Sequence, residues 1–590
     1  MHLAATGLAV AVLAGGGHSD FATEFDRSGG TRTSSYAQTI AELAELDHAS
    51  KWIKVETFGT SGEGRALPLV MVDRRGHFTP EAARRDGNAV VLIQAGIHAG
   101  EIDGKDAGLR LLKDIAIDGS LAHLLDHVTL LFIPIYNVDG HENTSPFNRP
   151  NQAGPENPGF RANATNLNLN RDYMKLDAPE TRAWIALFNQ WRPDLFIDCH
   201  VTDGADYRYV MTYIVETWQY TDPAVAAWSR DRLLKPLEDR MRKSGYPLSP
   251  YCEFRVANDP TSGIKSHAST PRFSTGYATL RNRPALLLET HMLKDYATRV
   301  DATHSMLVHA LGIANADARG LRAVVAQADA LAASPAFRGT PFPLVLDVSY
   351  ADSVLIDFAG VAFEKIESDI TGGVWYRYGA TPATFRIPYF PTQRVVRDAA
   401  LPEAYLIPRQ WADVIARLEC HGVRLCRLGA AVTIPVESIR LRDPAWSAAP
   451  FEGRHAVTYT SERFEETRTF PAGSVVVDMA QANARVIAHL LEPDAPDAFV
   501  QWGFFDASFE EKEYIESYVM EAKIREMLAS DLTLATEFAE AKLDTAFAGD
   551  PERIRRWFYV RSPYFEHRAE VYPVGLIRDR AVVDALCPAR

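Results

Sequence analysis

The pattern of apolar and polar positions divides the chain into two stretches of different character. Residues 90–95 (VVLIQA) form a run that reads as a strand covered on both faces, and the runs at 128–136, 195–200 and 284–289 read the same way. Between the first two, Ala107, Leu111, Leu112 and Ile115 recur at helical spacing. Strand, helix and strand in that order form the βαβ unit of a largely parallel sheet. Upstream, residues 37–46 predict a short helix, while 52–56 and 67–72 predict two strands joined by the turn 59–65, an edge hairpin. A helix through Trp184 and Phe188 precedes the third buried strand. The expected fold class is α/β: a mixed, largely parallel sheet with helices on both faces, over residues 34–325.

Past a small-residue, Pro-bearing stretch at 330–343, expected to be a linker, the pattern becomes alternating, as in 374–378 and 456–460. That predicts antiparallel sheet with one wet face. Residues 340–590 are therefore expected to be a β-rich accessory region with helices, among them a charged helix at 510–528.

Composition narrows this picture. A chain of 590 residues exceeds one ordinary core, and 47% hydrophobic with 23% charged residues describes a globular protein. The net charge of -14 argues against nucleic acid as a partner. Residues 8–14 are apolar and lead into glycines, too short a run to span a bilayer. Residues 1–18 are read as a signal segment, which predicts an exported, periplasmic or secreted protein without stable membrane insertion. Five cysteines are too few for a disulfide framework. Cys420 and Cys426 could pair after export, with Cys199, Cys252 and Cys587 as packed residues or free thiols.

Three of the buried runs finish beside His98, His200 and Glu289. His98 and Glu101 fall in the turn beyond the first, where open α/β sheets bind ligands. Imidazole nitrogen and carboxylate oxygen are ligand types of catalytic zinc, which takes three protein groups and a water. The His-x-x-Glu spacing alone is weak: it recurs at 489–492, in a helical pattern, and at 567–570, so three of 17 histidines carry it.

Taken in order, several motifs resemble the M14 family of zinc metallocarboxypeptidases over residues 36–309. They are FGTSGEGR at 58–65, HAGE at 98–101, NVDG at 137–140, RAN at 161–163, LNR at 169–171, DCH at 198–200 and LETH at 288–291. The resemblance implies that His98, Glu101 and His200 hold one Zn²⁺ per chain, which acidifies a water and polarises the scissile carbonyl. It implies that Glu289 takes that water's proton and returns it to the leaving amine. Arg161 would stabilise the charge growing on the carbonyl oxygen, with Arg149 in the same loop as the other candidate. Asn170 and Arg171 would grip the substrate's terminal carboxylate, which a guanidinium meets with two parallel hydrogen bonds. Tyr277 is the nearest match to the family's substrate-closing tyrosine and Tyr251 the next. Asn168 stands where pancreatic-type members carry an aspartate that supports a zinc histidine, and His291 is expected beside the ligands rather than among them. The implied function is a zinc-dependent carboxypeptidase acting on peptides with a free C-terminal carboxylate. The alternatives are an amidase of the same scaffold acting on peptidoglycan-type peptides or N-acyl amino acids, and an inactive peptide- or carbohydrate-binding relative. If Arg272 faced the specificity pocket, acidic terminal residues would be favoured.

Overall fold

A computed structural model describes residues 21–588; the expected signal segment at 1–18 lies outside them. The chain separates into two compact units. The first runs to Phe337 and includes residues 342–398 and 420–422; the second comprises residues 338–341, 399–419 and 423 onward.

The first unit is built on an eight-stranded sheet: β1 (Ile53–Thr60), β2 (Ala66–Val72), β3 (Ala89–Ala95), β4 (Val128–Ile133), β5 (Leu195–Thr202), β6 (Met211–Val215), β7 (Leu248–Pro250) and β8 (Ala285–His291). Their spatial order is β1-β2-β4-β3-β5-β8-β6-β7. The four central strands β4, β3, β5 and β8 run parallel; β2 is antiparallel to β4, β1 to β2, and β6 to β8. The fold is the expected mixed α/β sheet with β1 and β2 as an edge hairpin. β3 and β5 are buried at every position, because helices cover the sheet on both sides.

Alternation along the strands sorts side chains between those two sides. Leu195, Ile197 and Cys199 of β5 and Leu286 and Leu288 of β8 enter the main core, with Leu111, Leu112 and Ile115 of helix α1 (Asp103–Ala116) and Val300 and Leu307 of helix α2 (Tyr296–Ala316). The intervening positions, Phe196, Asp198 and His200 on β5, face the other way, and there Phe196 meets the Trp184 ring edge-on at 5.4 Å. In the parallel register of β5 and β8 His200 lies beside Glu289, and in the antiparallel register of β8 and β6 Leu287 lies beside Ile214. The sequence thus fixes which face carries chemistry: a one-residue shift in β5 would send His200 into the aliphatic core.

The stretch expected as a linker is ordered. Residues Ala318–Ala332 are helical, as their alanine content favours, a helical turn spans Pro335–Arg338, and a strand begins at Phe342. Strands Val354–Glu367 and Val374–Phe390 pair as a long antiparallel hairpin within the first unit.

The second unit holds a six-stranded sheet with helices, including the hairpin Val432–Trp446 with Val457–Phe470. The charged helix expected from residue 510 begins only at Ser517. Ahead of it the backbone N–H of Lys512 donates to the Glu566 carboxylate rather than to a helical carbonyl. The cysteine expectation is corrected: Cys426 bonds Cys587, 161 positions away, while Cys420 is free and exposed. Among the described residues no helix is long and apolar enough to cross a membrane.

Candidate active site

Where β3 ends, Gly96 takes φ +68°, a left-handed conformation that costs glycine little, and the chain leaves the sheet. The Glu101 N–H then donates to His98 O at 2.8 Å, closing a turn that presents both side chains together. His200 arrives from the neighbouring strand β5. Glu101 Oε2 lies 3.1 Å from His98 Nδ1 and 3.1 Å from His200 Nδ1. All three residues are buried, and they are the one His/Cys/Asp/Glu cluster of metal-binding geometry among the described residues.

The outward-facing nitrogens are held as carefully as the inward ones. His98 Nε2 lies 3.1 Å from Asn168 Oδ1, and His200 Nε2 lies 3.0 Å from Asp198 Oδ2. If each Nε2 carries the proton, each Nδ1 lone pair points at the same place, the arrangement that outer hydrogen bonds impose on metal-binding histidines. Asp198 is fixed in turn by Gln94 Nε2 at 3.0 Å and Ser274 Oγ at 2.5 Å. Asn168 Oδ1 also accepts the Asn170 N–H at 3.0 Å, capping the turn that displays Asn170 and Arg171. An amide oxygen serves both partners, so the substitution of Asn for Asp at this position leaves His98 oriented.

The metal-free electrostatics are polarised across the cluster. Burial pushes the His98 imidazole down to about 4. Burial also works against a charged His200, but the Asp198 carboxylate outweighs it and holds that imidazole well above its usual value. Glu101 stays well below the usual carboxylate range despite burial, because His98 and Arg149 favour its charged form. Glu289, beside His200 on β8, is pushed up to about 8, chiefly by burial. Its Oε2 is buried with no hydrogen-bond partner among the described residues.

These side chains line a cavity of about 410 Å³. Arg149, Arg161, Asn170 and Arg171 line it too. Asn170 Oδ1 accepts from the Ser274 N–H at 2.9 Å, and the Arg171 guanidinium stacks 4.0 Å from the centre of the Phe273 ring. Arg161 reaches Glu101 Oε1 at 3.1 Å.

One expected site residue is misplaced. Tyr277 does not reach the cavity: it is fully buried in the helix Ser274–Leu280, and its hydroxyl is bonded to His421 Nδ1 and Arg281 Nη1, each at 3.0 Å. Its ring packs against Trp184 and Phe188, so it serves the core. Tyr251 and His267 line the cavity instead, ring to ring at 5.7 Å. Arg272 does not line it. His291 contacts Asp206 at 3.3 Å, apart from the ligand cluster. Asp198, Ser274 and Gln94 escaped the reading of the sequence as supports; the DCH motif contained the first, but nothing local marked its partners.

Two imidazole nitrogens and one carboxylate oxygen, each with an outer partner, are a donor set that suits Zn²⁺ with a fourth position for water. The orphaned Glu289 oxygen adds a group suited to take a proton there.

Residues 39–221 match the family described as zinc carboxypeptidase. Among curated proteins, carboxypeptidase 2 of Trichophyton rubrum is 24% identical over 501 residues, covering 81% of this chain and 84% of that protein. The carboxypeptidase 2 of Trichophyton tonsurans is 24% identical over 505 residues, 82% and 85% of the two chains. Among solved structures, the metallo-carboxypeptidase of Burkholderia cenocepacia aligns with a TM-score of 0.36 at 20% identity, covering 48% of this chain and 70% of that one. Carboxypeptidase A of Helicoverpa armigera aligns with a TM-score of 0.36 at 18% identity, covering 50% and 74%.

Proposed function

The chain carries a metallocarboxypeptidase domain of the M14 zinc carboxypeptidase family, and from that premise we propose that it removes single C-terminal residues from peptides. Residues 34–325 are the catalytic domain and 340–590 an accessory region, of which residues 342–398 fall in the first compact unit. The observation that carries this reading is the convergence of His98 Nδ1, His200 Nδ1 and Glu101 Oε2 beside an unpartnered oxygen of Glu289.

His98, Glu101 and His200 would hold one zinc per chain, which when bound supplies a Lewis acid and an acidified water. Glu289 then has a defined task. Its carboxyl sits one strand from His200, and burial favours its protonated form in the metal-free protein, so it is suited to hold a proton taken from the water and pass it on. Arg161, exposed along part of its side chain, is free to swing from Glu101 to the oxygen that gains charge. Asn170 presents its amide NH₂, the carbonyl side being tied to Ser274, and Arg171 is braced on Phe273. Together they suit a free terminal carboxylate, which an internal peptide bond does not offer.

Leu287, two residues before Glu289 on the same face of its strand, lines the cavity with Ile214, Tyr251 and Phe273. These apolar side chains suit large aliphatic or aromatic terminal residues better than acidic ones. Export is the accompanying expectation, supported by the Cys426–Cys587 disulfide, since such bonds persist in oxidising compartments.

The test is release of terminal residues from a peptide library by the zinc-loaded protein, followed by mass spectrometry. Free-acid peptides ending in Leu or Phe should be trimmed, and their C-terminal amides should not. Glu289→Gln should lower kcat by about 10²- to 10⁴-fold while zinc content stays at one per chain. Equal cleavage of amides, or an active Glu289→Gln protein, would refute the reading.

A further inference from the structure

Glu101 divides its two oxygens between two kinds of partner. Oε2 faces the imidazoles and accepts the Val201 N–H at 3.1 Å, while Oε1 is met by two guanidiniums, Arg149 Nη2 at 2.8 Å and Arg161 Nη1 at 3.1 Å. One arginine suffices to stabilise a developing oxyanion, so the second requires its own account.

The two are not built alike. Arg161 is 42% exposed along its side chain, and its guanidinium touches no other acceptor among the described residues. Arg149 is 18% exposed and is held from behind: its Nε donates to Gln152 Oε1 at 3.1 Å. Gln152 Nε2 donates onward to Gly100 O at 2.9 Å and Gly154 O at 2.8 Å. The brace therefore ends on the backbone of the turn that carries Glu101. Gly100 itself makes room: a Cβ there would stand 2.6 Å from both Arg149 Cγ and the backbone Gly159 O, so glycine is required where the two crowd the turn.

The loop is fixed at its far side as well. Arg299, fully buried, pairs with Asp103 at 2.9 Å and donates to Ala153 O at 2.9 Å and Gly154 O at 2.8 Å. Arg149 adopts φ +53°, a conformation rarely taken by residues with a side chain, closed by the Gln152 N–H to Arg149 O bond at 2.9 Å. Strain of this sort persists where the surroundings over-determine it, and it clusters at functional sites.

We propose that Arg149, oriented by Gln152, is a positioning residue for the metal-binding carboxylate: it holds Glu101 Oε1 away from the metal so that Oε2 alone is offered, and leaves Arg161 free for substrate. This rests on reading His98, Glu101 and His200 as a metal site. Arg149 acts through Glu101 and does not touch the reacting atoms.

The experiment uses the full chain with zinc and with cobalt(II). Wild-type protein is measured first: failure to bind one zinc overturns the metal-site reading together with this one. Given that binding, Arg149→Gln should weaken zinc about 10- to 100-fold in chelator competition. It should also reduce the intensity of the visible cobalt(II) bands, because Glu101 becomes free to offer both oxygens and the coordination number rises. At saturating zinc kcat falls and KM moves little. Arg149→Lys recovers part of the zinc affinity. Gln152→Ala, which leaves the guanidinium in place but unbraced, shifts zinc affinity and spectrum in the same direction by less, and serves if Arg149→Gln does not fold. Wild-type zinc affinity and an unchanged cobalt spectrum in both variants, with KM alone raised, would overturn the proposal and make Arg149 a substrate contact.

Discussion

Replacing Asp198 by Asn tests whether the hydrogen bond behind His200 governs the metal site. The carboxylate is fully buried and accepts three bonds: Gln94 on Oδ1, His200 and Ser274 on Oδ2. Asparagine fits the same space. Its oxygen can keep His200 and Ser274, and its NH₂ can face Gln94 once that side chain turns its amide over; the Tyr173 hydroxyl 3.3 Å away partners either orientation. The change therefore removes charge and leaves the bonds. The folding cost is the difference between a charge-assisted and a neutral hydrogen bond, about 1 to 1.5 kcal/mol. Zinc affinity should fall about 10- to 100-fold, as for other outer partners of metal-binding histidines. The pH dependence sharpens the test. In the metal-free wild type Asp198 overcomes burial and keeps His200 protonated above its usual value, so zinc must displace that proton and binds more tightly as pH rises. Without that charge only Glu101 and Glu289 oppose burial, so His200 holds its proton less tightly and the rise of affinity with pH becomes shallower. The variant's deficit should be small near pH 6 and grow towards pH 9 in chelator competition. Equal affinity across that range, or a deficit independent of pH, would refute the reasoning.

Other perturbations follow from the same coordinates. In EDTA-treated protein Glu289 is raised to about 8, so the folded state holds its proton more tightly than the unfolded one. Stability from this group is full below the ordinary carboxylate range and is lost as pH rises through 8; the Tm of Glu289→Gln relative to wild type should climb from pH 5 to 8, and a constant difference counts against a buried carboxyl. Reducing Cys426–Cys587 opens a loop of 161 positions, worth up to about 5 kcal/mol by chain entropy, so calorimetry should show the second unit melting earlier in reductant and the first unchanged. Tyr277→Phe leaves Arg281 and His421 short of a partner and should cost about 1 to 3 kcal/mol in stability, with kcat/KM within about twofold of wild type; a large loss of activity would return Tyr277 to the site.

The strands are legible because burial on both faces writes itself as an unbroken apolar run; His98 lies just beyond β3, while β5 and β8 continue two residues past His200 and Glu289. What stayed hidden depends on partners far apart in sequence. Gln94 meets Asp198 across 104 positions, Ser274 meets Asp198 across 76, and Cys426 meets Cys587 across 161. The expectation for Tyr277 fails because distance along the chain from Glu289 says nothing about which side of a helix faces the cavity. The acidic run at 510–516 reads as helix by composition, yet Lys512 and Glu513 give their N–H groups to Glu566, a competition no local pattern reveals.

The three His-x-x-Glu doublets show what distinguishes a ligand pair from a coincidence of spacing. At His489 the pair lies in and just beyond a helix, and Glu492 is already committed: Tyr405 donates to one oxygen at 2.6 Å and Arg463 to the other at 2.7 Å. His489 turns neither ring nitrogen to that carboxylate, so the pair does not converge on one point. At His567 the histidine is exposed, and although residues 567–570 form a turn, Glu570 sits there at φ +61°. Only at 98 and 101 does a strand end in a turn, with one carboxylate oxygen facing two imidazoles and the other taken by arginine. The doublet is chemically specific because of the partners around it, Asn168, Asp198 and Arg149. Those residues should therefore control metal affinity almost as strongly as the ligands themselves.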